Sequence, residues 1–144
     1  MAGNAALGFA TLFQREDTPS SGTYTTVAGV TNIAKGGESL EPIDDTDMEN
    51  VDAYRTFIGG LLDGGEVSVD LWFKPGGAQQ LNLRSDMQAR IPVNYRIQFP
   101  TAINREWQFS ALVISFEDEA PLDANMTLAV TLKITGKPTL VATV

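Results

Sequence analysis

From Met126 to Thr135, apolar and polar positions alternate without a break. Met126, Leu128, Val130, Leu132 and Ile134 fall on one side, and Thr127, Ala129, Thr131, Lys133 and Thr135 on the other. A period of two predicts a β-strand with one face in a core. The same alternation places Val67, Val69, Leu71 and Phe73 opposite Ser68, Asp70, Trp72 and Lys74, and Val93, Tyr95, Ile97 and Phe99 opposite Asn94, Arg96 and Gln98. Asn104 to Phe116 reads as a further strand, with Trp107, Phe109, Ala111 and Val113 facing the core against Gln108, Ser110, Leu112, Ile114 and Phe116. Its second half is apolar on both faces.

The punctuation between these runs is local and legible. Leu7 to Gln14 and Tyr24 to Ile33 are strand candidates, separated by turn residues from Glu16 to Gly22. Pro75-Gly76-Gly77 breaks the strand that ends at Phe73, and Ala78 to Ala89 follows with the helix formers Gln, Leu, Arg, Met and Ala. Ile91-Pro92 stops that helix, because the residue before proline avoids helical angles. Glu117 to Asn125 reads as a charged hairpin tip, Gly136-Lys137-Pro138 as the end of the last strand, and residues 139–144 as an apolar C-terminal arm. Six or seven strands with one helix predict a mainly β (α+β) fold, a β-sandwich or half-open barrel flanked by the helix, as a single domain over residues 1–144.

One segment does not alternate. Residues 38–65 read as a long loop, and a loop of that length inside a small domain implies a role of its own. Its first part, Glu38 to Asp52, carries seven acids and no base. Asp45, Asp47 and Glu49 sit at alternate positions, as calcium ligands do. An EF-hand nevertheless needs glycine where Asn50 stands and a bidentate glutamate where Thr56 stands. Carboxylate pairs for glycoside hydrolysis can be drawn from the same acids, but almost any acidic β-protein offers them. Tyr54, Arg55, Phe57 and Ile58 follow. They read either as a piece folded onto the domain's own core or as an anchor for another protein, since aromatic and arginine side chains are enriched in interfaces. Gly59-Gly60 and Gly64-Gly65 lack the lysine and hydroxyl of a phosphate loop. Gly76-Gly77 before the helix is a plain strand-to-helix turn before it is an anion site.

Composition narrows the function. The chain of 144 residues has no cysteine and no histidine, so disulfides, thiolate metal sites and serine–histidine or cysteine–histidine catalysis are excluded within it. A net charge of −8 opposes the basic footprint that phosphate binding needs. It suits a surface past which nucleic acid slides without sticking. No stretch approaches the roughly 18 apolar residues of a membrane span. The N-terminus lacks the basic start of a signal peptide, so synthesis in the cytoplasm is expected. No cofactor and no metal is expected. Threonine-rich outer faces such as Thr127, Thr131 and Thr135 imply sheet edges that must be capped or paired, and a ring of subunits paired edge to edge does that.

The order Ile43-Asp44-Asp45-Thr46, then Tyr54-Arg55-Thr56-Phe57-Ile58-Gly59-Gly60-Leu61, then Asp63-Gly64-Gly65-Glu66-Val67-Ser68 resembles the tail-tube subunits of long-tailed bacteriophages, the major tail proteins. The resemblance is specific from Ile43 to Phe73 and extends along the rest by layout. It implies a structural virion protein and no enzyme: subunits close into hexameric rings, and rings stack into the hollow tail tube through which DNA reaches the host. It implies that Glu38 to Leu62 contacts a neighbouring subunit or ring, with Glu38, Glu41, Ile43, Asp44, Asp45, Asp47, Glu49, Tyr54, Arg55 and Phe57 as contact residues. Asp70, Glu117, Asp118 and Glu119 are candidates for the lumen wall. Implied partners are further copies of the chain, a tape-measure protein, tail-tip initiator and terminator proteins, and DNA that passes through the lumen without specific binding. No membrane contact is implied. The rival readings are the tube protein of a contractile injection or secretion system and, from another class, a monomeric carbohydrate-binding β-sandwich. The latter would display a row of exposed aromatics, whereas Trp72 and Trp107, the two tryptophans, both lie in strands.

Overall fold

The computed structural model describes residues 11–18, 21–49, 52–74, 77–100 and 103–142. Nine strands and one helix follow in the order β1 (Leu12–Glu16), β2 (Tyr24–Thr26), β3 (Val30–Lys35), β4 (Ser39–Asp44), β5 (Phe57–Asp63), β6 (Glu66–Trp72), α1 (Ala78–Ala89), β7 (Val93–Gln98), β8 (Arg105–Glu119) and β9 (Thr127–Ala142). Seven of the strands form one antiparallel sheet in the order β2-β1-β7-β8-β9-β6-β3. β4 and β5 form a separate two-stranded ribbon.

The two edge strands of the large sheet, β2 and β3, are joined by three residues, Val27 to Gly29. The sheet therefore has to fold over on itself, and the long strands β8 and β9 carry the bend. β8 shifts register against β9 between Gln108 and Ser110 and again between Val113 and Ser115. Such bulges bend a strand and strengthen its twist. The Val27 N–H donates to the Phe13 carbonyl, and the Trp72 N–H to the Gly29 carbonyl, which closes the fold at the link. Within it, Phe13, Tyr95, Ile97 and Phe109 from one half pack with Val67, Val69, Leu71, Leu128, Val130 and Leu132 from the other. Phe13 and Tyr95 stack at 5.6 Å between ring centroids.

The alternation of β6 and β9 is realised as read: Val67, Val69 and Leu71 are buried while Glu66, Ser68, Asp70 and Trp72 are exposed. Three readings need correction. Tyr24 to Ile33 is two strands, because Gly29 sits at a φ of +83° between them. Residues 139–142 continue β9, paired up to Arg105↔Ala142. The chain passes Pro138 at the bulge where β9 leaves Phe109 without a direct partner. Phe116 pairs with Val130 and packs against the core, since the second bulge moves it to the other face. The strand read over Leu7 to Gln14 begins at Leu12, and its start lies outside the described residues.

Helix α1 has the extent the sequence predicts. Gly77 is its N-cap, and Arg90 at φ 60° closes it in the left-handed conformation. Its inward residues are Gln80, Leu83 and Asp86, so only one of the three is apolar. Polar contacts hold it instead. Gln80 Nε2 donates to the carbonyls of Ala28 and Trp72, both at 3.0 Å, and its Oε1 accepts the Lys74 N–H at 2.8 Å. Asp86 receives Arg15 through both carboxylate oxygens at 2.7 Å and the Tyr95 hydroxyl at 2.7 Å. Among the described residues, no helix is long and apolar enough to cross a membrane.

Candidate assembly interface

The segment that does not alternate is a β-hairpin. β4 and β5 pair from Ser39↔Asp63 through Leu40↔Leu62 and Ile43↔Ile58 to Asp44↔Phe57, with a bulge opposite Leu40 to Pro42. Period-2 alternation is missing from its sequence because both faces carry apolar side chains. Residues directly opposite each other share a face, so Leu40, Pro42, Phe57 and Leu62 lie on one face and Ile43, Ile58 and Leu61 on the other. All are exposed; Leu61 and Leu62 keep 81% and 76% of their accessible surface. The alternative in which Tyr54 to Ile58 folds onto the domain's own core is not what is seen: Tyr54 and Phe57 are exposed.

The base of this arm is tightly built. Gly65 has a φ of +82°, and a Cβ there would lie 2.6 Å from the Gly37 carbonyl oxygen. Only glycine fits where the two chains of the arm pass this closely. Asp63 Oδ1 accepts the Gly65 N–H at 2.8 Å and Lys133 Nζ at 2.8 Å. The lysine, and then the amide, hold the Asp63 carboxyl below the usual carboxylate range. Beneath the arm a cleft of 680 Å³ opens between Leu40, Leu61 and Leu62 and the sheet residues Leu112, Lys133 and Ile134.

The sequence-predicted contact residues distribute along this arm. Glu38 precedes β4; Glu41, Ile43 and Asp44 are in β4; Asp45, Asp47 and Glu49 form the turn; Tyr54 and Arg55 lead into β5, which Phe57 opens. All are exposed. The Asp44 carboxyl is held below the ordinary range by the Thr46 hydroxyl and amide. Asp47 accepts the Glu49 N–H at 3.1 Å. Asp44 and Asp47 therefore turn toward their own backbone, and none of Asp45, Asp47 and Glu49 forms an ion pair among the described residues. Nor do the described residues hold a cluster of three or more metal-ligating side chains.

The four acids proposed for a lumen wall divide. Asp70 lies opposite Ala129, which lies opposite Glu117; Trp72 lies opposite Thr127, which lies opposite Glu119. Asp70, Glu117 and Glu119 thus share the outer face of the large sheet with Ser68, Thr131 and Ser115. Asp118 pairs with the buried Leu128 and belongs to the opposite face.

Two polar clusters escaped the sequence reading. One is Arg15–Asp86–Tyr95, in which burial first, and Asp86 second, push the Tyr95 hydroxyl well above its ordinary pKa. The other joins β1, β7 and β8: Arg96 bonds to Gln14 and lies 3.4 Å from Glu106, Asn94 donates to Glu16, and Arg96 stacks over Tyr24. Gln14, Glu16 and Glu106 are buried although they alternate with core residues. A polar residue at a non-core position gives no sequence signal of burial, since that depends on what covers it.

The site is thus a two-stranded arm, apolar on both faces, carried by a folded-over antiparallel sheet. The family model described as lambda phage tail tube protein matches residues 11–141, and the chain belongs to that family. No curated protein matches it in sequence. Among solved structures it is similar to the tail of an empty gene transfer agent particle refined with C6 symmetry, at 18% identity and a TM-score of 0.78, covering 96% of this chain and 100% of that one. It is also similar to a sheath/tube terminator structure of an extracellular contractile injection system (10% identity, TM-score 0.73, 99% and 100% covered). The SPP1 tail tube is a third such structure (15%, 0.65, 93% and 76%). At these identities the likeness is one of fold. The family places the chain with the phage tail-tube proteins, which are structural proteins, and its fold is one that a contractile injection system structure shares.

Proposed function

We propose that this protein is the tail-tube subunit of a phage or phage-derived particle, closing into hexameric rings that stack into a hollow tube for DNA delivery. The observation that carries this reading is the arm of β4 and β5. A two-stranded ribbon is at best marginally stable alone in water, and one with Leu40, Phe57 and Leu62 on one face and Ile43, Ile58 and Leu61 on the other needs cover on both sides. A second copy in a neighbouring ring supplies it. Glu38, Glu41, Ile43, Asp44, Asp45, Asp47, Glu49, Tyr54, Arg55 and Phe57 then become contact residues between subunits. The whole chain acts as one tube domain, with residues 38–65 as its inter-subunit element. Tape-measure, tail-tip initiator and terminator proteins are its further partners, and its site of action is the particle's tail.

Negative-stain electron microscopy of the concentrated protein tests this. Stacked rings or tubes with a central channel are expected; a species that stays monomeric at every concentration and salt level and that binds a glycan would overturn the reading in favour of a monomeric binding module. The inner tube of a contractile injection system is the second reading, favoured by the fold shared with the terminator structure. Co-assembly with a sheath protein would select it.

In the tube, the sheet face with Asp70, Glu117 and Glu119 lines the lumen, and its negative charge keeps DNA hydrated and moving. Asp70→Lys combined with Glu117→Lys should leave tubes intact and slow DNA ejection several-fold, an effect that shrinks with added salt. Unchanged ejection kinetics would remove these residues from the lumen.

A further inference from the structure

Strand register lays polar side chains across β2, β1, β7, β8 and β9 on the sheet face that turns away from Phe13 and Tyr95. In one row Gln14 stands between Thr26 and Arg96, Arg96 opposite Gln108, and Gln108 opposite Thr139. The neighbouring row holds Tyr24 opposite Glu16, and Asn94 opposite Ser110, which in turn lies opposite Thr135. A cavity of about 290 Å³ opens on this face, lined by Tyr24, Asn94, Gln108, Ser110 and Lys137. Lys137 belongs to a bulge: residues 136–138 stand opposite Phe109 alone, with Gly136 at a φ of +82°. Bulges re-aim a side chain, and this one brings Lys137 to the cavity wall.

The wall is held from beneath. Asn94 donates to the Glu16 carboxylate at 3.2 Å, and Gln108 donates to Glu106 at 3.1 Å. Both glutamates are buried, so each carboxamide is fixed in orientation by an acid that solvent does not reach. A carboxamide held through one N–H still has a second N–H to donate and a carbonyl to accept. The Arg96 guanidinium lies 4.4 Å from the centre of the Tyr24 ring and fixes the opposite wall. Ser110 adds a hydroxyl, and Lys137 an ammonium that makes no ion pair among the described residues. Glu16 and Glu106 offset the charges of Arg96 and Lys137, so no net charge draws in an anion or a cation. Groups that both donate and accept, beside an aromatic ring, match a neutral ring that carries several hydroxyls. The volume is close to the lower bound of small-molecule sites, about 300 Å³, which is room for one such ring.

We propose that this cavity binds a neutral sugar, the end unit of a glycan. Asn94, Gln108 and Ser110 exchange hydrogen bonds with its hydroxyls, Tyr24 lies against its ring, and Lys137 donates from the bulge. The site is complete within one subunit and does not depend on stacking. Its use on a particle rests on the stacked-tube reading: there the core lies between this face and the Asp70 face, so the cavity looks away from the lumen. Copies repeated along a tube then add avidity to a contact that is weak when made once.

Saturation-transfer NMR on the full chain tests the site. The probes are the methyl glycosides of glucose, galactose and N-acetylglucosamine, taken one at a time, with glucose 6-phosphate as the charged counterpart. At least one neutral glycoside should receive saturation with a Kd of about 1 mM, as befits a small ligand in an open cavity. The phosphate should receive less at the same concentration. Lys137→Ala and Tyr24→Ala should each raise the Kd about fivefold, the effect of one lost hydrogen bond or ring contact. Ser68→Ala, on the far face of the sheet, should leave it unchanged. Lys137 is exposed, so its variant keeps the fold and decides the matter even where Tyr24→Ala does not. Absence of transfer to all the neutral glycosides, or transfer that both variants leave unchanged, would overturn the site. Stronger transfer to glucose 6-phosphate would overturn the neutral sugar in favour of an anion. Each of these failures leaves tube formation as it is, whereas protein that binds the glycoside and never stacks would overturn the tube and leave the site standing.

Discussion

Asp86→Ala should lower the stability of the isolated subunit by about 3 kcal/mol, as much as truncating a fully buried core side chain. Asp86 is 7% exposed and is the acceptor for three donors at 2.7 Å: two from Arg15 in bidentate geometry and one from the fully buried Tyr95. Removing the carboxylate leaves a largely buried guanidinium and a buried hydroxyl without their partner, and that desolvation exceeds the net worth of the bonds themselves. At roughly 4 °C per kcal/mol for a domain of this size, the melting temperature should fall by about 12 °C. Tyr95→Phe removes one donor and strands no charge, so it should cost only about 1–2 kcal/mol. Thermal unfolding of both variants, followed by far-UV circular dichroism, checks the ranking. If Asp86→Ala melted within a degree or two of wild type, α1 would have to be held by Leu83 and Gln80 alone.

That cluster also shows where sequence reasoning runs out. Helix α1 was legible at both ends because its stop signals are local: Gly77 before it and Ile91-Pro92 after it. What holds it was not legible. An acid at an inward position has meaning only once the fold brings Arg15, 71 residues away, against it. Strands β6 and β9 were legible because each has one face in the core and one outside. The arm was hidden for the opposite reason. Its apolar residues occupy both faces, so the period of two is lost, and its pairing of Leu40 with Leu62 is set by register across the turn. Phe116 was assigned to the outer face because one extra residue in β8, near Ile114, reverses the alternation after it. Asp118 follows Phe116 at the next-but-one position, so the same bulge puts it with Leu128, apart from Glu117 and Glu119. Composition, by contrast, only removed options: without histidine or cysteine, the chain cannot supply the catalysis that depends on either.

The arm yields the second large effect, and it separates folding from assembly. Leu61 and Leu62 are exposed on opposite faces of β5, so changing both to serine should move the stability of the free subunit by no more than about 0.5 kcal/mol each. In the proposed tube the same side chains would be buried on both sides of the arm. Full burial of a leucine is worth about 1.5–3 kcal/mol, so the pair contributes roughly 3–6 kcal/mol to each stacking contact. At 1.4 kcal/mol per tenfold, losing the lower figure raises the concentration required for stacking by about a hundredfold. Leu61→Ser/Leu62→Ser should therefore melt like wild type, keep its far-UV spectrum and remain unstacked in light scattering and electron microscopy where wild type forms tubes. Single substitutions should each give a partial defect, because each removes the cover from one face of the ribbon. Tubes that form from the double variant at the wild-type concentration would mean that the arm is not the stacking element. Equally, a melting temperature that dropped sharply would show that the leucines already stabilise the free subunit, through the cleft they share with Leu112 and Ile134. The pattern expected, assembly lost and folding kept, is what an apolar surface reserved for a second copy produces.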